Sequence, residues 1–305
     1  MIREGTLRSS VLRITTGTSS VAFSANLLID LEQMFQYQFM QHAFEAGTLV
    51  AVVAGIVGYF VVLRRSSFAA HALSHIGFAG AAGAVLVGLS PVLGLLAFTS
   101  VGGIGMTVLG PRASHRDVQI GTVLAFMLGL GVLFISLYTG YATEAYSILF
   151  GEILGISVVD VLVTAVVSLV ILCAVAVVYR PLLFASLDED VAEAKGLHMH
   201  LLGVIFMLLV AVATSISVQV VGVLLIFSLM VTPAAVAQRL VKRPWQALVT
   251  SVVISLAATW LGLFIAFYEP YPVSFFITSL VFAFYLLVRF VHPRIRPAKY
   301  REAGF

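Results

Sequence analysis

Apolar stretches about 20 residues long recur along this chain, and they leave few ways to fold. "DVLVTAVVSLVILCAVAVVY", residues 160–179, is apolar on every face after its first residue. Wound as a helix at about 1.5 Å per residue, such a run matches the ~30 Å hydrocarbon core of a bilayer. Backbone N–H and C=O groups in that core need internal partners, which only helices and closed barrels supply. A barrel would show segments of roughly ten residues with alternating polarity, and the runs here do not alternate. With 61% hydrophobic and 10% charged residues over 305 positions and a mean hydropathy of +1.09, the sequence predicts an all-α, polytopic helical membrane protein.

Turn and charge signals divide the runs into spans near 42–63, 70–89, 91–110, 118–139, 158–180, 200–218, 221–238, 245–267 and 272–291, so eight or nine transmembrane helices are expected. The second is Gly/Ala-rich, and Pro233 is expected to kink or break the seventh. Basic residues fall in alternate connections: Arg64/Arg65, Arg112/Arg116, Arg180 with Lys195, Arg239/Lys242/Arg243, and Arg289 to Arg301. The intervening connections hold only Glu144, Glu152, Asp160 and Glu269. By the positive-inside rule the N-terminus is outside and the C-terminus cytoplasmic. Residues 1–38 form an N-terminal extension without the apolar core of a cleaved signal; Leu27, Leu28, Leu31, Met34 and Phe35 follow the spacing of an interfacial amphipathic helix. Residues 39–291 form one membrane domain and 292–305 a basic cytoplasmic tail.

The formal net charge of +3 is dispersed over short loops, so it reads as a topology signal and no nucleic-acid partner is expected. Cys173 is the only cysteine, which excludes a disulfide framework or thiolate cluster. The sequence contains no HExxH, GxxxxGK[ST] or GxSxG motif and no paired carboxylates within a span, so this chain is not expected to be an enzyme.

Chemistry concentrates in "FAAHALSHIGF", residues 68–78. Positions i and i+4 of a helix project from one face, so His71 and His75 can aim imidazole nitrogens at a common point. Counted from Arg65, they stand roughly 9 and 15 Å into the membrane. Ionisable groups at that depth need a partner or a wet cavity, which marks a functional site; the structural alternative is interhelical bonding to backbone or to Ser74. A transition metal takes about four ligands, and no second cluster lies within a span. A homodimer would bring four imidazoles together, a set suited to Zn²⁺. Neutral imidazole is the ligating form, so occupancy should fall as pH drops through about 6.5. Gly77, Gly80 and Gly83 strip a face of the same span, allowing close approach of another helix or of a second copy.

An energy-consuming transporter with this sequence would need its ATPase on another chain, and "SLDEDVAEAKGLHMH", residues 186–200, offers a dock. Asp188, Glu189 and Asp190 begin a short helix, as its dipole prefers, and Gly196 ends it. A loop helix that only connects spans is the alternative.

Five stretches in order resemble the permease subunit of the ABC importers for zinc, manganese and iron that work with an extracytoplasmic metal-binding protein. They are "LRRSSFAAHALSH" (63–75), against that family's "LRR.SF..DALSH", then "QIGTV" (119–123), "SILFGEIL" (147–154), "SLDEDVAEAKGL" (186–197) and "VGVLLIFSLMVTPAAVA" (221–237). The resemblance covers about Phe39 to Phe290. It implies a type II ABC importer-like permease fold, a homodimer in a prokaryotic cytoplasmic membrane, two cytoplasmic ATPase subunits that bind ATP, and a binding protein on the outer face. Residues 186–197, including Asp188, Glu189, Asp190, Ala194 and Gly196, match the coupling helix. His75 matches the family's histidine, whereas His71 replaces its aspartate. That exchange softens the site and favours Zn²⁺ over Mn²⁺ or Fe²⁺ as transported substrate, with no permanently bound cofactor. Pro233 and the glycine-rich second span are expected moving parts. The alternatives are a manganese or iron importer, a self-contained secondary cation carrier, and a structural scaffold.

Overall fold

The computed structural model describes residues 34–108, 113–138, 149–269 and 271–291. The expected interfacial helix lies almost wholly outside them, as do Glu144 and the basic tail. Ten helices are named: α1 (Gln38–Leu63), α2 (Ser67–Leu86), α3 (Pro91–Val108), α4 (Ala113–Leu137), α5 (Val158–Leu187), the short α6 (Glu189–Ala194), α7 (Met199–Val221), α8 (Val223–Leu240), α9 (Pro244–Tyr268) and α10 (Val273–Val291). Among the described residues, nine of them are long and apolar enough to cross a membrane.

The turn after α1 sets where α2 begins. Ser66 N–H donates to the Val61 carbonyl and Arg65 N–H to that of Val62, the paired bonds of a Schellman closure. Arg65 takes its left-handed position at φ 54°, where glycine is usual. The same closure ends α2, from Leu89 and Gly88 to Ala84 and Val85, with Gly88 at φ 74°.

α2 lies deep in the bundle, packed on α3 and α4 and touching α7 and α8. Its small side chains make this possible: Gly80 of α2 and Gly94 of α3 meet backbone to backbone, and a Cβ on either would collide with the other's carbonyl. Gly77 faces Leu95 and Thr99, and Gly83 faces Phe134. These three glycines are therefore covered by α3 and α4 of the same chain. The low hydropathy of α2 has the same cause, since a helix wrapped by protein need not dissolve in lipid.

One boundary differs from expectation. α5 continues past Arg180 and Pro181 to Leu187, burying Leu182 and Ala185. At roughly 45 Å, a helix of 30 residues outreaches the hydrocarbon core, so its end can carry an exposed arginine. α8 runs through Pro233 without a break. Membrane helices tolerate proline where neighbouring helices enclose them, and α1, α9 and α10 pack around α8.

Candidate metal site

α2 carries His71 and His75 half-buried on the same face as exposed Phe68, while Ala72, Leu73, Ser74 and Ile76 around them are buried. The two imidazole rings lie 4.7 Å apart, centroid to centroid, with their planes perpendicular. Phe227 of α8 closes one side, its ring 4.6 Å from that of His71. Both rings are half-buried. In each, Nδ1 is buried without a hydrogen-bond partner. A buried polar atom left in that condition costs about 1–3 kcal/mol.

Ser74 does not relieve it. Its hydroxyl donates back to the Ala70 carbonyl at 3.3 Å, the usual i−4 bond of a helical serine. The structural alternative, in which Ser74 or backbone satisfies the histidines, therefore fails at both Nδ1 atoms. The described residues contain no group of three or more His, Cys, Asp or Glu side chains able to hold a metal. His71 and His75 are thus two neighbouring imidazoles that form no larger His, Cys, Asp or Glu cluster among these residues. Further open positions lie on α8, where Leu224, Phe227, Ser228 and Val231 are exposed or half-buried at helical spacing.

The profile of the family described as ABC-3, ABC 3 transport family, matches residues 36–292. This chain belongs to the ABC 3 transport family. It is 29% identical to the manganese transport system membrane protein MntC of Listeria monocytogenes over 241 residues, 79% of this chain and 86% of that one. It is also 29% identical to the manganese import system permease protein ScaB of Streptococcus parasanguinis over 271 residues, 88% and 96% of the two chains. A solved structure, PsaBC from Streptococcus pneumoniae in complex with a Fab, matches with a TM-score of 0.78 at 27% identity, covering 87% of this chain and 96% of that one. The chain is the multi-pass membrane permease of a metal ABC importer, and ATP hydrolysis falls to partner chains. The self-contained carrier and the scaffold are set aside.

In this ABC 3 chain the acidic segment is built much as its residues suggest. Asp188 is the N-cap of α6, its carboxylate accepting from Val191 N–H at 3.0 Å, and Glu189 and Asp190 occupy the first turn. Gly196, at φ 86°, ends the segment through bonds from Gly196 and Leu197 to Glu193 and Ala192. Ala192 is buried, while Asp188, Glu189, Asp190, Ala194 and Gly196 are exposed and Lys195 lies over the Phe184 ring. Pro233 is buried in α8. His42 and Glu45 lie near the start of α1, remote in sequence from the pair.

One feature went unread in the sequence. The short segment around Phe150 and Gly151 folds onto the junction of α7 and α8, which is the single residue Gly222. Ser274 of α10 donates to the Phe150 carbonyl at 2.6 Å and lies 3.5 Å from that of Val221. Nearby, Gln219 Nε2 donates to Asp160 at 3.2 Å, while Asp160 closes a capping box with Ser157. Gly151 and Gly222 sit inside "SILFGEIL" and "VGVLLIF"; their glycines were the available signal.

Proposed function

We propose that this permease passes Zn²⁺ inward as one half of a homodimer, with His71 and His75 of each copy meeting at the shared seam. The half-buried pair with unpartnered Nδ1 atoms carries the reading. A nitrogen kept in that state inside a membrane has use for a ligand, and two imidazoles prefer a borderline-soft cation to a hard one. The open positions on α2 and α8, which include polar His71, His75 and Ser228, support a protein-covered seam over a lipid-facing one.

An extracytoplasmic binding protein delivers the ion, with the N-terminus outside and the C-terminus cytoplasmic. Residues 186–197 receive the ATPase stroke through the exposed acidic first turn of α6. Pro233 lies in the helix that flanks the pathway, and its missing N–H makes that turn the easiest to bend. Modest affinity suits a conduit, because the ion must also leave.

A second reading, Mn²⁺, draws support from the relatives, which are named manganese transporters. Uptake of labelled Zn²⁺ and Mn²⁺ by cells carrying the complete transporter decides between the two. The wild type should favour Zn²⁺. The double variant His71→Ala/His75→Ala should lose uptake by more than about tenfold, since losses even in the outer shell of metal sites cost 10–100-fold. Undiminished uptake by a normally inserted double variant would remove the site; a Mn²⁺ preference would change the ion and leave the site standing.

A further inference from the structure

Two guanidinium groups from different helices converge on one phenol at the basic end of the bundle. Arg239, in the last turn of α8, places its Cζ 5.3 Å from the centroid of the Tyr285 ring of α10. Arg289, one turn further along α10, donates from Nη1 to the Tyr285 hydroxyl oxygen at 3.4 Å. Cations drawn to one side chain repel each other, and a ring face and one phenol oxygen offset that repulsion only in part. The arrangement calls for an anion.

Its surroundings indicate which kind. Phe282, one turn earlier on the Tyr285 face of α10, is 57% exposed, and Leu240 beside Arg239 is also exposed. Lys242 and Arg243 follow in the connection to α9, whose first turn presents Trp245, 59% exposed. Arginines and exposed aromatic residues set among exposed apolar side chains, which beyond Arg289 include Phe290 and Val291, suit the headgroup level of a bilayer. Guanidinium forks also match phosphate oxygens, each offering two parallel N–H donors.

We infer that Arg239, Tyr285 and Arg289 form a binding site for the phosphate of an anionic phospholipid headgroup. The two guanidinium groups donate to its oxygens while acyl chains lie along Phe282. The phenol holds the arginines at the spacing of one phosphate.

Native mass spectrometry of the full chain in neutral detergent tests this, after incubation with equal amounts of phosphatidylglycerol and phosphatidylcholine. The wild type should retain phosphatidylglycerol preferentially, and Arg239→Gln and Arg289→Gln should each reduce that preference about fivefold. Arg289→Lys, which keeps the charge without the fork, should weaken it less than Arg289→Gln and covers the case in which Arg289→Gln fails to insert. Tyr285→Phe should also weaken it, through loss of the Arg289 contact. Lys242→Gln/Arg243→Gln serves as the control for diffuse charge. A loss equal to that of the arginine variants would overturn the site in favour of surface potential. Retention unchanged by the arginine substitutions would overturn it outright. Displacement of the lipid by millimolar inorganic phosphate, bound by the wild type as tightly, would assign the arginines to a soluble anion and not to lipid.

Discussion

Gly151 and Gly222 meet main chain to main chain, both with positive φ, at 78° and 84°. A Cβ on Gly222 would run into the backbone of Phe150 and Gly151, and one on Gly151 into that of Val221 and Gly222. Either change imposes an unfavourable backbone conformation as well as a collision. Gly222→Ala and Gly151→Ala should each cost at least about 1–3 kcal/mol. The thermal midpoint of the purified chain in detergent reads this directly, and a midpoint within error of wild type for both variants would show that the crossing is not formed.

The resemblance implies an aspartate at the place of His71, and introducing a carboxylate there isolates the effect of the imidazole. His71→Asp places a hard oxygen donor beside His75 and adds negative charge without lengthening the helix face. The ratio of Zn²⁺ to Mn²⁺ uptake should fall severalfold, mainly by a gain for Mn²⁺. Competition between labelled ions in cells is the measurement. An unchanged ratio would mean that selectivity is set elsewhere in the assembly.

The nine spans were readable because lipid imposes length and hydrophobicity together, and α4 and α5, with most of their residues open to the surroundings, satisfy both. α2 was readable for the opposite reason. Its histidines and glycines are too polar or too small for a lipid-facing helix, which is why a candidate site and a close packing face are both expected there. The partner of that face was not legible: spacing shows that Gly80 lacks bulk, whereas only the fold brings Gly94 against it. The end of α5 lies beyond the expected 180 because Leu182 and Ala185 find cover past the charged Arg180, and at Pro233 the helix stays unbroken where neighbouring helices pack around it. The lock between Gly151, Gly222 and Ser274 joins segments more than 50 positions apart, a separation over which periodicity carries no information.

The contact of α2 with α3 supports a separate test. Gly80→Val would force branched carbons against the Gly94 carbonyl and the Phe98 side chain, of which the first is main chain and cannot swing aside. Overpacking of this kind costs about 1–3 kcal/mol. Because α2 carries the histidines, metal uptake should fall along with stability. Gly105, whose Cβ direction is open space, provides the control: Gly105→Ala should leave both quantities near wild type.

Asp188 allows the cap of α6 to be separated from its charge. As N-cap it accepts from Val191 N–H, and asparagine serves that position about equally well whereas alanine does not. If α6 must be folded to receive the ATPase, Asp188→Ala should lower transport-coupled ATP hydrolysis, with a local cost of about 0.5–2 kcal/mol, and Asp188→Asn should restore most of it. If instead the carboxylate itself contacts the ATPase, both substitutions should be equally impaired. Gly196→Ala adds an independent reading, because the left-handed φ of 86° that closes the segment is strained for any residue with a Cβ. Impairment by Asp188→Ala and Gly196→Ala together with rescue by Asp188→Asn would identify the shape of the segment as the coupling element. ATP hydrolysis by the assembled transporter, compared with metal retention by the permease alone, separates that outcome from damage to the pathway.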